Sequence, residues 1–186
     1  AATLALRPFV RGGIFHSQGL IVDAASGVSG AGKALKSSSM FTTVDEDFSA
    51  YGLVSHRHTP EMEQEIGGQV LFTPHLAPMN RGILATCYAR PISANTTTES
   101  LLQVLAEAYK NEKFVVVSEE IPSTKSTQGT NAVHITARYD ARTGYAIVIS
   151  ALDNLTKGAS GGAVQSANVA LGLNESLGLS AVGVWP

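Results

Sequence analysis

A series of short strand-like segments limits what this chain can fold into. Residues 132–139 and 145–152 lie on either side of Asp140-Ala141-Arg142-Thr143-Gly144, a turn sequence, and therefore predict a β-hairpin. Apolar segments bounded by Gly, Pro or polar residues recur at residues 19–24, 70–74, 82–89 and 114–117. Strands connected in this way favour a mainly antiparallel sheet.

Helical segments are inserted between these strands. Residues 1–7 consist of helix formers from the first position, without a capping side chain, so we expect a helix entered partway and a chain that is a piece of a longer protein. Thr96 and Glu99 have capping-box spacing at the start of a helix that runs to Lys110. A Gly/Ser loop over residues 156–162 is expected to open a last helix over residues 163–173. The resulting prediction is an α+β fold, a mixed sheet covered by helices on one face, with the other face available to a second subunit.

Composition excludes several function classes. Hydrophobic residues make up 44% of the chain, charged residues 15%, and the formal net charge is −2, which argues against disorder and against a basic surface for nucleic acid or membrane lipids. The single cysteine, Cys87, excludes an intrachain disulfide framework and favours a reducing, cytoplasmic compartment. We interpret Cys87, which lies mid-strand, as a buried inert thiol.

The most chemically informative segment is His56-Arg57-His58, directly before a helix start. Thr59 is the expected N-cap, Pro60 suits the first helical position, and Gly67 is expected to end the helix. The positive end of the helix dipole disfavours an imidazolium, so we expect His58 to be a neutral general base. The alternative is that both histidines are loop residues bonded to the backbone.

Two loops rich in small residues are candidate anion sites. Residues 27–33 match the first part of a P-loop, but Ala34 stands where the magnesium-binding hydroxyl belongs, which disfavours an NTPase. The groups that could still cradle an oxyanion are the hydroxyls of Ser26 and Ser29 and the N–H groups near Gly30 and Gly32, with Lys33 nearby. An ordinary flexible turn is the alternative.

The second loop, residues 153–162, feeds a helix N-terminus, and its glycines fit either a cofactor or close packing. Arg81 lies in a loop bounded by Pro78 and Gly82, where it is either an anion clamp or a surface arginine. The remaining histidines have no metal-ligand spacing, so we predict no metal site.

Several segments, in order along the chain, resemble N-acetyl-gamma-glutamyl-phosphate reductases. These segments are residues 26–33, 56–64, 74–84, 153–158, 163–166 and 179–184. The resemblance implies an NADP(H)-dependent oxidoreductase that converts an acyl phosphate to N-acetylglutamate semialdehyde in arginine biosynthesis. It also implies the fold of the C-terminal catalytic and dimerisation domain of the glyceraldehyde-3-phosphate dehydrogenase-like group.

The resemblance assigns roles to individual residues. His58 would be the catalytic proton-handling residue. Substrate-binding roles would fall to His56, Arg57, Ser26, Ser29 and Arg81, and cofactor-binding roles to Gly30, Gly32, Lys157, Gly158 and Gly161. In this family the nucleophilic cysteine and the nucleotide-binding domain precede the segment that begins here at Ala1, so we expect the chain alone to be inactive and NADP(H) binding to need that domain.

The resemblance also predicts the organisation of the chain. Residues 1–155 would form the catalytic and dimerisation domain, and residues 156–186 a loop, helix and strand that pack on the dinucleotide-binding domain. The partners would be a small acyl phosphate and further copies of the chain in a dimer or tetramer, without nucleic acid or membrane. The alternatives are another semialdehyde dehydrogenase of the same group and a non-catalytic dimerisation module.

Overall fold

The computed structural model describes residues 1–183, which form a single sheet with helices on one face. The strands are β1 (Leu20–Gly27), β2 (Ser49–Ala50), β3 (Val70–Ala77), β4 (Ile83–Ala89), β5 (Val115–Val117), β6 (Val133–Asp140) and β7 (Tyr145–Leu152). The α-helices are α1 (Ala2–Arg11), α2 (Phe41–Val44), α3 (Thr59–Ile66), α4 (Thr98–Tyr109) and α5 (Gly161–Ala170), the last preceded by a π-helical turn, Thr156–Ser160. No helix in this described part of the chain combines the length and apolarity needed to cross a bilayer.

The sheet has the order β2-β3-β1-β4-β7-β6-β5. The pairs β1–β3 and β5–β6 are parallel and the others are antiparallel, which confirms a mixed, mainly antiparallel α+β fold. The predicted β6–β7 hairpin is also confirmed, with Asp140 opposite Tyr145 beside the turn. Strands β3 and β4 are consecutive in the chain, but they do not form a hairpin, because β1 lies between them.

The core lies between the sheet and the helices. Val22, Cys87 and Val148 are cross-strand neighbours on the helix-facing side, and all three are fully buried. Helix α1 covers them with one face, burying Ala2, Ala5, Leu6 and Phe9. Because the side chains of a strand alternate between faces, the intervening residues lie on the opposite, open face of the sheet.

Helix starts differ in detail from the sequence prediction. Thr97, not Thr96, is the N-cap of α4, and its partner is Ser100 rather than Glu99. The Thr97 hydroxyl accepts from the Ser100 N–H at 3.2 Å, while the Ser100 hydroxyl accepts from the Thr97 N–H at 3.0 Å. Thr96 is engaged elsewhere, since its hydroxyl donates to the Ser93 carbonyl at 2.8 Å.

Most of the boundaries of α3 and α5 also differ from the sequence prediction. Thr59 is the first residue of α3 rather than its cap, and His58 occupies the cap position without a side-chain hydrogen bond to the helix. Gly67 ends α3 with a φ of 85°, as predicted. The expected loop over residues 156–162 is instead the π-helical turn, and α5 begins at Gly161 and ends at Ala170 rather than at residue 173.

The open face of the sheet carries apolar side chains. Leu71 on β3 is 57% exposed and Val116 on β5 is 40% exposed, while Tyr88, Ile147 and Ile149 in the middle of this face are half-buried. Beyond α5, the described residues 171–183 form no strand, although the Ser180 carbonyl accepts from the Asn131 N–H at 2.7 Å. Residues 184–186, which belong to the predicted closing segment, lie outside the described residues.

Candidate functional site

The predicted site elements meet at one end of the sheet. Strands β1 and β7 end there, and the antiparallel β4 begins there, with Ile83 opposite both Ser26 and Leu152. The loops that follow β1, precede β4 and follow β7 are therefore neighbours. This arrangement brings together the serine and glycine loop, Arg81 and the segment around Lys157.

A hydrogen-bond network ties these loops to one another. The Ser29 hydroxyl donates to the Asn80 carbonyl at 2.5 Å and accepts from the Asn154 side-chain amide at 2.9 Å. The Asn154 Oδ1 atom in turn accepts from the Gly82 N–H at 2.7 Å. The sequence alone did not indicate a role for Asn154, although this residue directly follows the apolar segment that ends at Asp153. Ser29 thus has an evident structural role, and its contact with a substrate stays a prediction.

The two glycines of the first loop differ in their surroundings. A Cβ atom on Gly30 would lie 2.9 Å from the Ser26 hydroxyl oxygen, so a larger residue would require the Ser26 side chain to move. Gly32 has a φ of 78°, in the left-handed region that side chains avoid. The Ser26 hydroxyl donates to the Gly27 carbonyl at 3.3 Å. These residues shape the loop, and their predicted ligand contacts stay predictions.

Arg81 is held by Asp153. The Arg81 Nη2 atom lies 2.9 Å from Asp153 Oδ2, and the Arg81 Nε–H donates to Asp153 Oδ1 at 3.3 Å. Asp153 is fully buried and also accepts from the N–H groups of Gly129 and Leu155, at 2.7 and 2.8 Å. Burial alone raises the pKa of Asp153, but these N–H donors and Arg81 outweigh it, so the pKa lies below its ordinary value. One edge of the guanidinium is therefore occupied by Asp153.

An open cleft of about 870 Å³ lies between the first loop and Arg81. Its lining includes Ser29, Lys33, Lys36 and Arg81, and the described residues that line it include no carboxylate. Since Arg81 is already paired with Asp153, the two lysines give the cleft its net positive charge. The cleft is suited to an anionic ligand.

Lys157 belongs to a second polar cluster. Its Nζ atom donates to Gln165 Oε1 at 2.6 Å, and the Asn131 side-chain amide donates to the same oxygen at 2.9 Å. Burial lowers the pKa of Lys157, while the charges of Glu112 and Glu175 act in the opposite direction. The sequence did not predict that Asn131 and Gln165 contact Lys157, because only the fold brings these residues together.

The glycines beside Lys157 differ from one another. Gly161 is buried, and a Cβ atom there would lie 2.3 Å from Asn131 Oδ1, so close packing explains this glycine. Gly158 is exposed, and its nearest neighbour would lie at 3.4 Å, an ordinary contact. Of the two, Gly158 is the one accessible to a cofactor.

His58 is exposed at the start of α3, so its ring is not sealed in the core. Its backbone N–H donates to the Nδ1 atom of His56 at 3.2 Å, and the two ring centroids lie 5.0 Å apart in an edge-to-face arrangement. Arg57, between them, is exposed. The pKa of His56 is lowered by burial first and then by the charges of His58 and Arg57.

Helices α1 and α3 begin at the same end of the helix layer. Arg11, the last residue of α1, donates to the Gln64 carbonyl near the end of α3 at 2.7 Å. Each helix precedes one of the two parallel strands β1 and β3, so the helices run in the same direction, with Ala1 at the end that holds His58. The charge of Lys157 acts on the backbone nitrogen of Ala1, so Lys157 lies near the start of α1.

Cys87 is fully buried, as predicted, and burial raises the pKa of its thiol to about 12. A thiol with this pKa is almost entirely protonated at neutral pH and is not a nucleophile. Among the described residues, no group of three or more His, Cys, Asp or Glu side chains is placed to hold a metal ion.

Comparison with known sequences gives a consistent set of matches. Residues 1–154 match the family model described as semialdehyde dehydrogenase, dimerisation domain. The N-acetyl-gamma-glutamyl-phosphate reductase of Pelotomaculum thermopropionicum is 45% identical over 194 residues, covering 100% of this chain and 56% of that protein. The enzyme of the same name from Geobacter sulfurreducens is 47% identical over 192 residues, covering 98% of this chain and 55% of that protein. The chain thus spans little more than half the length of these curated relatives.

Comparison with solved structures supports the fold. Aspartate semialdehyde dehydrogenase II from Vibrio cholerae superposes with a TM-score of 0.69 at 15% sequence identity, covering 90% of this chain and 58% of that one. A probable aspartate-semialdehyde dehydrogenase from Pseudomonas aeruginosa superposes with a TM-score of 0.60 at 14% identity, covering 82% of this chain and 55% of that one. At these identities the likeness concerns the fold alone.

Proposed function

Because this chain belongs to the semialdehyde dehydrogenase dimerisation-domain family, we propose that it is the C-terminal catalytic and dimerisation part of an NADPH-dependent N-acetyl-gamma-glutamyl-phosphate reductase. The parent enzyme reduces the acyl phosphate to the semialdehyde and releases phosphate, as a cytoplasmic step of arginine biosynthesis. The observation that carries the proposal is the exposed His58 at the start of α3, at the end of the helix layer where Ala1 lies.

In this proposal the chain contributes proton handling and binding. A thiolate from the rest of the reductase displaces phosphate from the acyl carbon, and the thioester is then reduced and released as the aldehyde. NADPH, when bound, supplies the hydride. His58 accepts the thiol proton and returns a proton to the oxygen of the reduced intermediate. Cys87 takes no part, because its thiol is buried and protonated.

The cleft and the Lys157 segment divide the binding tasks. Lys33, Lys36 and the free side of Arg81 bind the phosphate or carboxylate of a ligand, supported by the cationic lining of the cleft. Lys157 and the exposed Gly158 lie against the cofactor near the start of α1. Gly161 packs closely against Asn131, and its contact with the cofactor stays a prediction.

The experiment is a His58→Asn substitution in the full-length reductase. Loss of a general acid-base group lowers kcat by about 10²-fold or more. The control is His16→Asn, because His16 is also exposed but lies outside the proposed site. Wild-type turnover in the His58 variant would rule out the assignment. Parallel assays with N-acetyl-gamma-glutamyl phosphate and aspartyl phosphate separate this enzyme from other semialdehyde dehydrogenases.

We also propose that the open sheet face binds a second copy of the chain. The half-buried Tyr88, Ile147 and Ile149 form an apolar surface of the kind that soluble proteins cover. A homodimer covers it symmetrically. The description of the matching family as a dimerisation domain supports this occupant.

A further inference from the structure

We propose that His56 is a positioning residue for His58, rather than a ligand-binding residue, and that it acts as a neutral imidazole with its proton on Nε2. The inference rests on the proposed function for the role of His58. The contacts of His56 support this inference, because they are made with Phe72 of β3, with Tyr51 and with the start of α3.

The first of these contacts concerns the backbone. The N–H groups at a helix start have no partners within the helix and need acceptors from elsewhere. His56 supplies two acceptors: its Nδ1 atom takes the His58 N–H at 3.2 Å, and its carbonyl takes the Thr59 N–H at 3.0 Å. Pro60, the next residue, has no N–H to satisfy. One histidine therefore fixes the backbone from which the His58 side chain projects.

The second set of contacts concerns the ring. The His56 ring meets the Phe72 ring edge-to-face at 5.1 Å and the Tyr51 ring at 5.7 Å. The His58 ring lies at 5.0 Å on the same imidazole. His56 is half-buried among these rings, whereas His58 is exposed. The packing anchors one imidazole to β3 and leaves the other free to meet a substrate.

Electrostatics keep the anchored ring neutral. The charged and titratable groups that face His56 in the described structure are Tyr51, Arg57 and His58, and Phe72 faces it from β3. Burial, the His58 charge and the Arg57 charge all lower the pKa of His56. An imidazolium would carry a proton on both nitrogens and could not accept the His58 N–H.

The kinetic test compares His56→Ala with His56→Asn in the full-length reductase. We expect His56→Ala to lower kcat about tenfold with little change in KM, because the His58 ring is no longer held in place. Asn accepts the N–H of the second following residue through Oδ1, so His56→Asn should recover most of this loss. A raised KM with unchanged kcat, wild-type kcat in His56→Ala, or equal impairment in both variants would overturn the proposal.

The spectroscopic test does not depend on activity. In the full-length enzyme with ¹⁵N-labelled histidine, the His56 signal is assigned by its absence from His56→Asn. At pH 7.5 we expect an unprotonated Nδ1 and a protonated Nε2. A proton on Nδ1 would contradict the inference. If His58→Asn retains wild-type turnover while His56 shows the expected tautomer, the proposed function fails and the His56 geometry stands.

Discussion

A single carboxylate connects three segments at the end of the sheet that holds the cleft. Asp153 binds Arg81 from the segment before β4, the Gly129 N–H from the segment before β6 and the Leu155 N–H from its own loop. Each bond is charge-assisted, and the carboxylate is fully buried. The main role of Asp153 is therefore to position Arg81 rather than to bind a ligand.

Removing this carboxylate should destabilise the whole chain. We expect Asp153→Ala to lower the free energy of unfolding by about 2–4 kcal/mol, since it leaves Arg81 and the N–H groups of Gly129, Leu155 and Thr156 without their partner. Urea unfolding followed by circular dichroism measures the loss. Asp140→Ala is the control, because Asp140 is a partly exposed carboxylate at a hairpin turn, and its loss should cost much less than the loss of Asp153. Equal losses in the two variants would contradict the interpretation of Asp153.

The same residue gives a pH dependence with a definite sign. The pKa of Asp153 in the folded chain lies below its ordinary value of 3.8, so the unfolded chain binds more protons in this range. The stabilisation is complete above the ordinary pKa and is lost as the pH falls through the folded pKa. We expect unfolding midpoints to fall less steeply below pH 4 in Asp153→Ala than in the wild type. Parallel curves for the two proteins would be evidence against this linkage.

Lys33 and Lys36 can be tested together in the full-length enzyme. We expect the double change to Gln to raise the KM of the anionic ligand about three- to tenfold at low ionic strength, and less at higher ionic strength. Comparing the KM for acyl phosphate with the KM for NADPH identifies which ligand enters the cleft. Lys110→Gln is the matched control, since Lys110 pairs with Glu107 on α4. Unchanged KM values for both ligands would mean that the cleft does not bind either.

At the scale of the helix and its connections, hydrogen bonds override sequence spacing. The segment before α4 offers several Thr and Ser residues, and Thr97 becomes the cap because Ser100 returns its hydrogen bond. Likewise, the segment from Thr156 to Gly162 is rich in small residues and reads as a loop in the sequence. It forms a π-helical turn and the start of α5 because Gly161 lets the chain pack against Asn131. That contact is nonlocal, and residue types alone do not reveal it.

Gly161 provides a test of packing against cofactor binding. We expect Gly161→Ala to destabilise the chain by about 1–3 kcal/mol, because the new Cβ atom overlaps Asn131 Oδ1 and the Thr156 backbone. Gly158→Ala should cost less than about 1 kcal/mol, since its surroundings leave ordinary contact distances. Thermal unfolding compares the two. If the stability of Gly161→Ala matches the wild type while the KM for NADPH rises in the full-length enzyme, Gly161 is a cofactor contact rather than a packing residue.

At the scale of the whole molecule, local sequence patterns predicted where the strands lie along the chain better than they predicted the order of the strands in the sheet. The β6–β7 hairpin follows from a turn between two neighbouring segments, so its pairing was predictable. The place of β1 between β3 and β4 depends on the parallel pairing of two strands far apart in sequence, which periodicity does not encode. For the same reason the position of His58 beside a helix start was predictable from neighbouring residues, whereas the partners of Arg81 and Lys157 were not.

The open face of the sheet is predicted to be the surface through which two copies of the chain form a dimer. Ile147 lies on β7 opposite Tyr88 of β4 and Arg138 of β6, near the middle of this face. A carboxylate there would lose its hydration in a homodimer, and the neighbouring Arg138 is already bonded to the Thr136 hydroxyl and the Glu119 carbonyl. Ile147→Asp should therefore raise the dimer dissociation constant by about 10²-fold or more. Sedimentation velocity at micromolar concentrations measures the change. Val169→Asp is the matched control, because Val169 is 61% exposed on α5, away from the sheet face. A wild-type chain that sediments as a monomer, or an Ile147→Asp dimer of unchanged affinity, would show that this face is not the interface.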